Sequence, residues 1–277
     1  MTIALALLVA AGVLVYVIGN RTSKTPRARL ESALLATNSS GTANLTLRVK
    51  ASFDGISLAV TGTGAVDFAT RAVSLQVSAF GQTLALVETS GSLYVNLGKE
   101  ISTQFPGKTW VRMSLSTITS THGAETFVTD NPQALMSLLL KLGATITPAG
   151  PATIDGTQDQ MYEIHLSVAA LEAHASALPP SIRSLFADAK TLPKSTQVST
   201  TMYVNPAGEL QAEHVALMVE EKGHPVTASV DLTMSHFGAA SVEAPPPATQ
   251  TVTYQQIKKS LGSGILAPSA SGGVQAA

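Results

Sequence analysis

The stretch NLTLRVKASF, residues 44–53, alternates apolar and polar side chains without interruption. Its apolar side chains occupy the odd positions Leu45, Leu47, Val49, Ala51 and Phe53. Successive side chains of a strand point to opposite faces, so this period of two predicts a β-strand with one apolar and one polar face. The segment therefore indicates a sheet that is buried on one side.

The same alternation continues beyond a predicted Asp54-Gly55 turn, along the first half of the chain. The next apolar residues fall on even positions, at Ile56, Leu58, Val60, Val66 and Phe68. Gly62 and Gly64 lie in phase with them and predict a bend or bulge. Further alternating segments lie at 73–79, 84–88, 93–97 and 110–115. We predict an antiparallel meander of about six strands here.

Helical patterns interrupt the strands in the second half. Asn131 and Pro132 suit a helix start, and PQALMSLLLKLG predicts a helix over 132–142 that is apolar around most of its circumference. Residues 168–190 form a second helical segment around Pro179-Pro180, and a short helix is predicted at 26–37. Strands are predicted at 144–147, 161–168, 197–204, 210–220 and 226–234.

Together these elements predict an α+β fold. Because a sheet of about ten strands must twist, curl or close, we expect a curled antiparallel half-barrel with helices on its concave face, preceded by a transmembrane helix. The predicted divisions are an N-terminal membrane anchor or signal in 1–20, a basic linker and short helix in 21–41, the main domain in 42–247, and a low-complexity tail in 248–277.

The N-terminal segment 2–19 has no charged side chain. As a helix it would reach roughly 27 Å, close to the apolar thickness of a bilayer, which predicts a membrane span or a signal. The basic residues Arg21, Lys24, Arg27 and Arg29 all follow it. Basic residues favour the cytoplasmic side, so their position conflicts with export of the main domain and leaves its topology open.

Composition excludes several functions. The 277 residues include 17 basic and 18 acidic side chains, well mixed, and no cysteine. We therefore predict no nucleic-acid binding, and no disulfide, thiolate metal site or cysteine nucleophile is possible. The six histidines show no metal-ligand spacing, and no nucleophile or phosphate-binding motif is present. We predict no enzyme activity, no metal and no cofactor.

The remaining signal is an apolar excess along strand faces and helices, because 45% of residues are hydrophobic and only 13% charged. Two interpretations stay open. The apolar side chains pack as a solid core, which suits a scaffold or protein-interaction domain, or they line an apolar ligand cavity. Several hundred Å³ of apolar space would distinguish a cavity from a packed core.

Short motifs recur in an order that resembles a known family. They are GAVDF at 64–68, GSLYV at 91–95, GKTWV at 107–111, DNP at 130–132 before a Leu-rich helix, Asp155-Gly156 followed by Tyr162, and Ala244-Pro245. This order resembles the LppX/LprG group of actinobacterial envelope lipoproteins, which are related in fold to LolA. The resemblance covers about 30–247, and its weight comes from the order and spacing of individually weak motifs.

The resemblance implies a non-catalytic, membrane-anchored protein outside the cytoplasmic membrane that binds or carries a lipid or lipoglycan. Acyl chains would lie in an apolar cavity between the sheet and its helices. The implied lining residues are Leu45, Leu47, Val49, Leu58, Val60, Val73, Leu75, Val77, Leu135, Leu138, Leu139 and Leu142. The chain departs from the family at the lipobox, because Asn20 follows Val17-Ile18-Gly19 where the family has the acylated cysteine. An uncleaved helix would have to replace the lipid anchor.

Overall fold

The computed structural model describes residues 25–54, 56–89, 91–114, 143–167, 173, 196–221 and 224–261. The first half of this chain contains helix α1 (Pro26–Ser39), strands β1 (Thr42–Phe53), β2 (Ile56–Asp67), β3 (Ala72–Ala79), β4 (Gln82–Thr89) and β5 (Ser92–Asn96), the one-turn helix α2 (Lys99–Ser102), and β6 (Trp110–Ser114). The second half contains β7 (Thr145–Ile154), β8 (Thr157–Ser167), β9 (Gln197–Val204), β10 (Leu210–Glu221), β11 (His224–Ser235), β12 (Thr251–Thr253) and helix α3 (Tyr254–Leu261).

All these strands form one mixed sheet of 12 strands, in the order β12-β6-β5-β4-β3-β2-β1-β11-β10-β9-β8-β7. Every described pairing is antiparallel except that of β12 with β6. The first six strands are consecutive neighbours, so the predicted meander is confirmed. The sheet is larger than the predicted ten or so strands because the short β12 belongs to it, and β7, predicted at 144–147, extends to Ile154.

The two halves join where β1 pairs with β11. This pairing sets apolar residues opposite each other, as in Leu45 with Met234 and Leu47 with Leu232. Directly opposed residues lie on the same face of a sheet, and a shift of one residue would turn the apolar row toward the polar face. The alternation seen in residues 44–53 therefore fixes the register that unites both halves.

Helix α1 packs on one face of the sheet, which we call the inner face. Thr25 caps the helix, accepting a hydrogen bond from the Ala28 N–H at 3.3 Å, and Pro26 follows in the first turn. Leu30 is fully buried in the same hydrophobic cluster as Leu45 and Met234. The short helix predicted at 26–37 is present and ends two residues later.

A buried hydroxyl ties α1 to the sheet. Thr37 donates to the Ala33 carbonyl oxygen at 2.8 Å and accepts from the Leu210 N–H, at the start of β10, at 2.7 Å. Thr37 is 0% exposed. One side chain therefore satisfies a backbone donor that would otherwise be buried without a partner.

The two edges of the sheet are protected differently. β7 carries Pro148 and Pro151, which lack a backbone donor, and its register shifts between Pro148 and Gly150. Proline and bulges are typical of edge strands because they interrupt further pairing. At the opposite edge, β12 covers β6 along Thr251–Thr253.

The described structure continues past Pro247, into the region that the sequence predicted to be a low-complexity tail. Residues 238–243 run along the outer face, with the Gly238 N–H donating to Thr42 O at 2.8 Å and the Glu243 N–H to Ser74 Oγ at 3.2 Å. Beyond them, Val252 is buried in a cluster with Ile101 and Val111. The prolines therefore belong to the segment that leads to β12, and the burial of Val252 holds the following residues against the sheet.

Three predicted features lie outside the described residues: the apolar segment 2–19 and the helices at 132–142 and 168–190. Within the described ranges, no helix has both the length and the apolar character needed to cross a membrane.

Candidate functional site

Strand register brings the predicted lining residues of the meander onto the inner face. Across β1 and β2, Val49 pairs with Val60 and Ala51 with Leu58. The next pairing sets Val66 opposite Val73. Because paired residues share a face, all eight predicted strand residues lie on the side where α1 packs. The predicted helix residues Leu135, Leu138, Leu139 and Leu142 lie outside the described part of the chain.

Helix α1 closes only part of this face. Beneath it, Leu45 is 3% exposed and belongs to a core with Val66, Phe68, Tyr162 and Met202. The other predicted residues are half-buried, and we call them the apolar strip: Leu47, Val49, Leu58, Val60, Val73, Leu75 and Val77. The inner face thus has a closed part under α1 and an adjoining apolar part that is incompletely covered.

Two glycines of β2 shape the floor of the strip. At Gly64 an added Cβ would lie 1.8 Å from the Ser74 carbonyl oxygen, so only glycine permits this close approach of β2 and β3. At Gly62 an added Cβ would meet Leu47 and Val77 at 3.6 Å, an ordinary contact distance. Gly64 is therefore required by the backbone, whereas Gly62 would accept a Cβ at ordinary contact distances. The registers of β2 with β1 and β3 run unbroken through both glycines, so the predicted bulge is not present.

An acidic residue lies on the apolar inner face. Glu213 of β10 is opposed by Leu232 on one side and Met202 on the other, and it is 5% exposed. Its Oε1 is buried and makes no hydrogen bond in the described structure. Burial raises the pKa of Glu213 to about 7. The carboxyl group is therefore partly protonated near neutral pH.

Glu213 was not among the predicted site residues, although its position in the sequence carried a signal. Glu213 has the same parity as Val215 and Val219, which are buried on β10. A charged residue in phase with apolar neighbours of a strand is predicted to face the core. A second carboxyl group faces inward on β4, where Glu88 opposes Val73 and burial raises its pKa.

Two open clefts that flank the sheet are lined by described residues. One, of about 530 Å³, lies beside the β3–β4 turn and α2, with Gln76, Leu84, Asn96 and Glu100 among its lining residues. The other, of about 290 Å³, is lined by Gly143, Thr145, His165, Leu166, Ser167 and Val198. No residue of the apolar strip lines either cleft. The strip is therefore an apolar surface separate from both clefts.

Several acidic side chains of the described residues pair with arginine or histidine away from the strip, as Glu31 does with Arg27 on α1 at 2.8 Å. His214 and Asp231 are joined at 2.6 Å between Nδ1 and Oδ1 on the outer face, and His165 lies 3.3 Å from Glu163. Tyr94 and Trp110, both within the motifs of the resemblance, lie on β5 and β6, next to the edge that β12 covers. The described ranges contain no group of three or more His, Asp or Glu side chains that could hold a metal ion.

The fold and this face define a class of protein: one large, almost entirely antiparallel sheet with an N-terminal helix packed across part of an apolar face. The chain is similar in structure to the lipoprotein LppX of Mycobacterium tuberculosis, with a TM-score of 0.50 and 12% identity over 80% of this chain and 100% of LppX. The resemblance found in the sequence is thereby confirmed at the level of fold.

Two further solved structures align less closely. LprF of Mycobacterium bovis has a TM-score of 0.41 and 14% identity over 83% of this chain and 100% of its own. A domain described as outer membrane lipoprotein-sorting, from Vibrio parahaemolyticus, has a TM-score of 0.27 and 10% identity over 71% and 84% of the two chains. No protein-family model and no curated protein sequence matches the chain.

Proposed function

We propose that this protein binds and carries a lipid or lipoglycan outside the cytoplasmic membrane, without catalysis. The observation that carries the proposal is the apolar strip, which leaves aliphatic side chains incompletely covered beside a closed core. Contiguous apolar surface of this kind is costly in water, and burying an acyl chain against it gains about 0.8 kcal/mol per methylene before ordering costs. The LppX-like fold supports the same function.

The seven residues of the strip would contact the acyl chains, with Leu45 supporting them from the closed core. In this proposal, Leu135, Leu138, Leu139 and Leu142 cover the chains from the other side. Residues 2–19 would hold the protein at the membrane as a single span, in place of the lipid anchor that Asn20 excludes. A reporter fused after residue 261 would test this topology, and a reporter active only in the cytoplasm would contradict it.

Binding can be tested with a matched pair of variants on β3. Leu75 faces inward, whereas its neighbour Gln76 is exposed on the outer face. Leu75→Asp should abolish retention of a long-chain lipid, because it puts a charge into the strip, while Gln76→Asp should retain it. Circular dichroism of both variants would establish that the sheet is intact. Equal retention by the two variants would exclude the strip as the binding surface.

A second candidate is a scaffold or protein-interaction domain of the cell envelope. It is favoured by the tight core under α1, where Leu30, Tyr162 and Met202 are each no more than 2% exposed. Solid packing of this kind is expected of a structural domain. The scaffold function predicts no lipid uptake by delipidated protein, so the same binding experiment separates the two candidates.

A further inference from the structure

Glu213 lies in a row of residues that crosses the inner face. Following the pairings from strand to strand, the row runs through Val77, Gly62, Leu47, Leu232, Glu213, Met202 and Tyr162. Neighbouring strands lie about 4.8 Å apart, so Glu213 is roughly 14 Å from Gly62 and the floor of the apolar strip. The row therefore leads directly from the strip to a buried carboxyl group.

The fold itself gives Glu213 no described partner. Its neighbours Leu232 and Met202 are apolar, Tyr162 lies one strand further, and Glu88 lies beyond β1 and β2 on the far side of the strip. A carboxyl group buried without a hydrogen bond costs stability, and an apolar residue of similar shape would not carry that cost. A carboxyl group at this position therefore lowers the stability of the fold, and a polar group of a bound ligand could supply the missing hydrogen bond.

A hydroxyl group matches this carboxyl group best. A hydroxyl both donates and accepts, so it can bond to the ionised and the protonated carboxyl group alike. A phosphate would repel the ionised form, and an ammonium would need further acceptors, whereas the residues opposite Glu213 are apolar. The apolar strip begins at Leu47, two strands from Glu213, so the hydroxyl should belong to a molecule with long hydrocarbon chains that span this distance.

We propose that Glu213 hydrogen-bonds a free hydroxyl group next to the acyl chains of the ligand, so that the protein selects hydroxylated lipids over otherwise identical lipids without the hydroxyl. This inference rests on the proposed lipid-binding function and names the chemical class of its ligand. Glu213 acts in it as a specificity-determining residue, while the apolar strip supplies most of the binding.

The test uses 1,2-dioleoylglycerol, which has one free hydroxyl, and its 3-deoxy analogue propane-1,2-diol dioleate, which has neither a donor nor an acceptor in that place. The delipidated full chain is offered both lipids in competition, and native mass spectrometry measures the ratio retained. The wild type should prefer dioleoylglycerol by about tenfold, which is the effect of one well-made hydrogen bond in a buried site. Glu213→Leu should bind both lipids equally, and Glu213→Gln, whose amide still donates and accepts, should keep the preference.

Glu88→Leu is the matched control, because it removes the other inward carboxyl group, on β4. It should keep the preference for dioleoylglycerol. A preference that survives in Glu213→Leu, or a wild type that retains both lipids equally, would overturn the role of Glu213 and leave the lipid-binding function standing. A wild type that retains neither lipid would overturn both.

Discussion

At the residue scale, Glu213 and the two glycines of β2 have the clearest structural roles on the inner face. Glu213 is a carboxyl group on an apolar face, and its burial makes the charged form unfavourable. Gly64 permits a backbone approach that no other residue allows, whereas Gly62 would accept a Cβ without displacing its neighbours. Each of these features predicts an effect that a single substitution can measure.

The stability of the protein should fall between about pH 4.5 and pH 7. The pKa of Glu213 is raised from 4.5 to about 7 in the folded protein, so in this interval the folded state holds a proton that the unfolded chain has lost. The folded state binds more protons, and stability therefore decreases as pH rises and levels off above pH 7. The difference in pKa corresponds to roughly 3 kcal/mol.

Urea unfolding at pH 5 and pH 7.5 measures this decrease. Glu213→Leu should lack most of it, because leucine has no proton to lose, and should be more stable than the wild type at pH 7.5. An equally large decrease in wild type and Glu213→Leu would show that other groups are responsible.

The two glycines should respond differently to alanine. Gly64→Ala should destabilise the protein by roughly 1–3 kcal/mol, because the new Cβ would overlap the Ser74 carbonyl group and force β2 and β3 apart. Gly62→Ala should change stability by less than about 1 kcal/mol, since its Cβ meets only ordinary contacts. The urea midpoints of both variants measure the contrast, and a larger loss in Gly62→Ala would contradict the described approach of the strands.

At the scale of elements, α1 is held to β10 by Thr37 as well as by apolar packing. Thr37→Val keeps the shape of the side chain but leaves the Leu210 N–H buried without a partner, so it should cost about 1–3 kcal/mol. Thr37→Ser keeps the hydroxyl and should recover most of that loss. Thermal unfolding of the two variants measures the difference, and equal melting temperatures would mean that the hydroxyl contributes nothing.

The strands differ in how far their sequences alone predict them. Strands β1 to β3 have long alternation, so both their existence and their inward parity were predictable. In β4 the alternation is weaker, because residues 84–87 are all apolar. β12 was not, because Thr251–Thr253 is only three residues long and follows Pro245, Pro246 and Pro247, whose composition is typical of a linker. Its place depends on the burial of Val252 against residues more than a hundred positions away, which no local pattern reveals.

At the scale of the whole molecule, the sheet joins its first and last long strands through β1 and β11. The sequence predicted one continuous sheet but not the position of Glu213, because facing residues from β9, β10 and β11 define that environment only after folding. The apolar strip was predictable from parity alone. The boundary between the strip and the closed core depends on where α1 packs, and the sequence of α1 does not indicate that position.

The binding of acyl chains by the apolar strip can be tested at Gly62, which lies between Leu47 and Val77 on the strip and accepts a Cβ at ordinary contact distances. In Gly62→Phe the phenyl ring should occupy the floor of the strip, and circular dichroism would establish that the sheet is intact. Gly62→Ala is the control at the same backbone position.

Native mass spectrometry of delipidated protein after incubation with dioleoylglycerol provides the measurement. If the apolar strip binds acyl chains, the wild type and Gly62→Ala should retain the lipid and folded Gly62→Phe should not. A wild type that stays at the mass of the polypeptide alone, or a Gly62→Phe variant that retains as much lipid as the wild type, would contradict it.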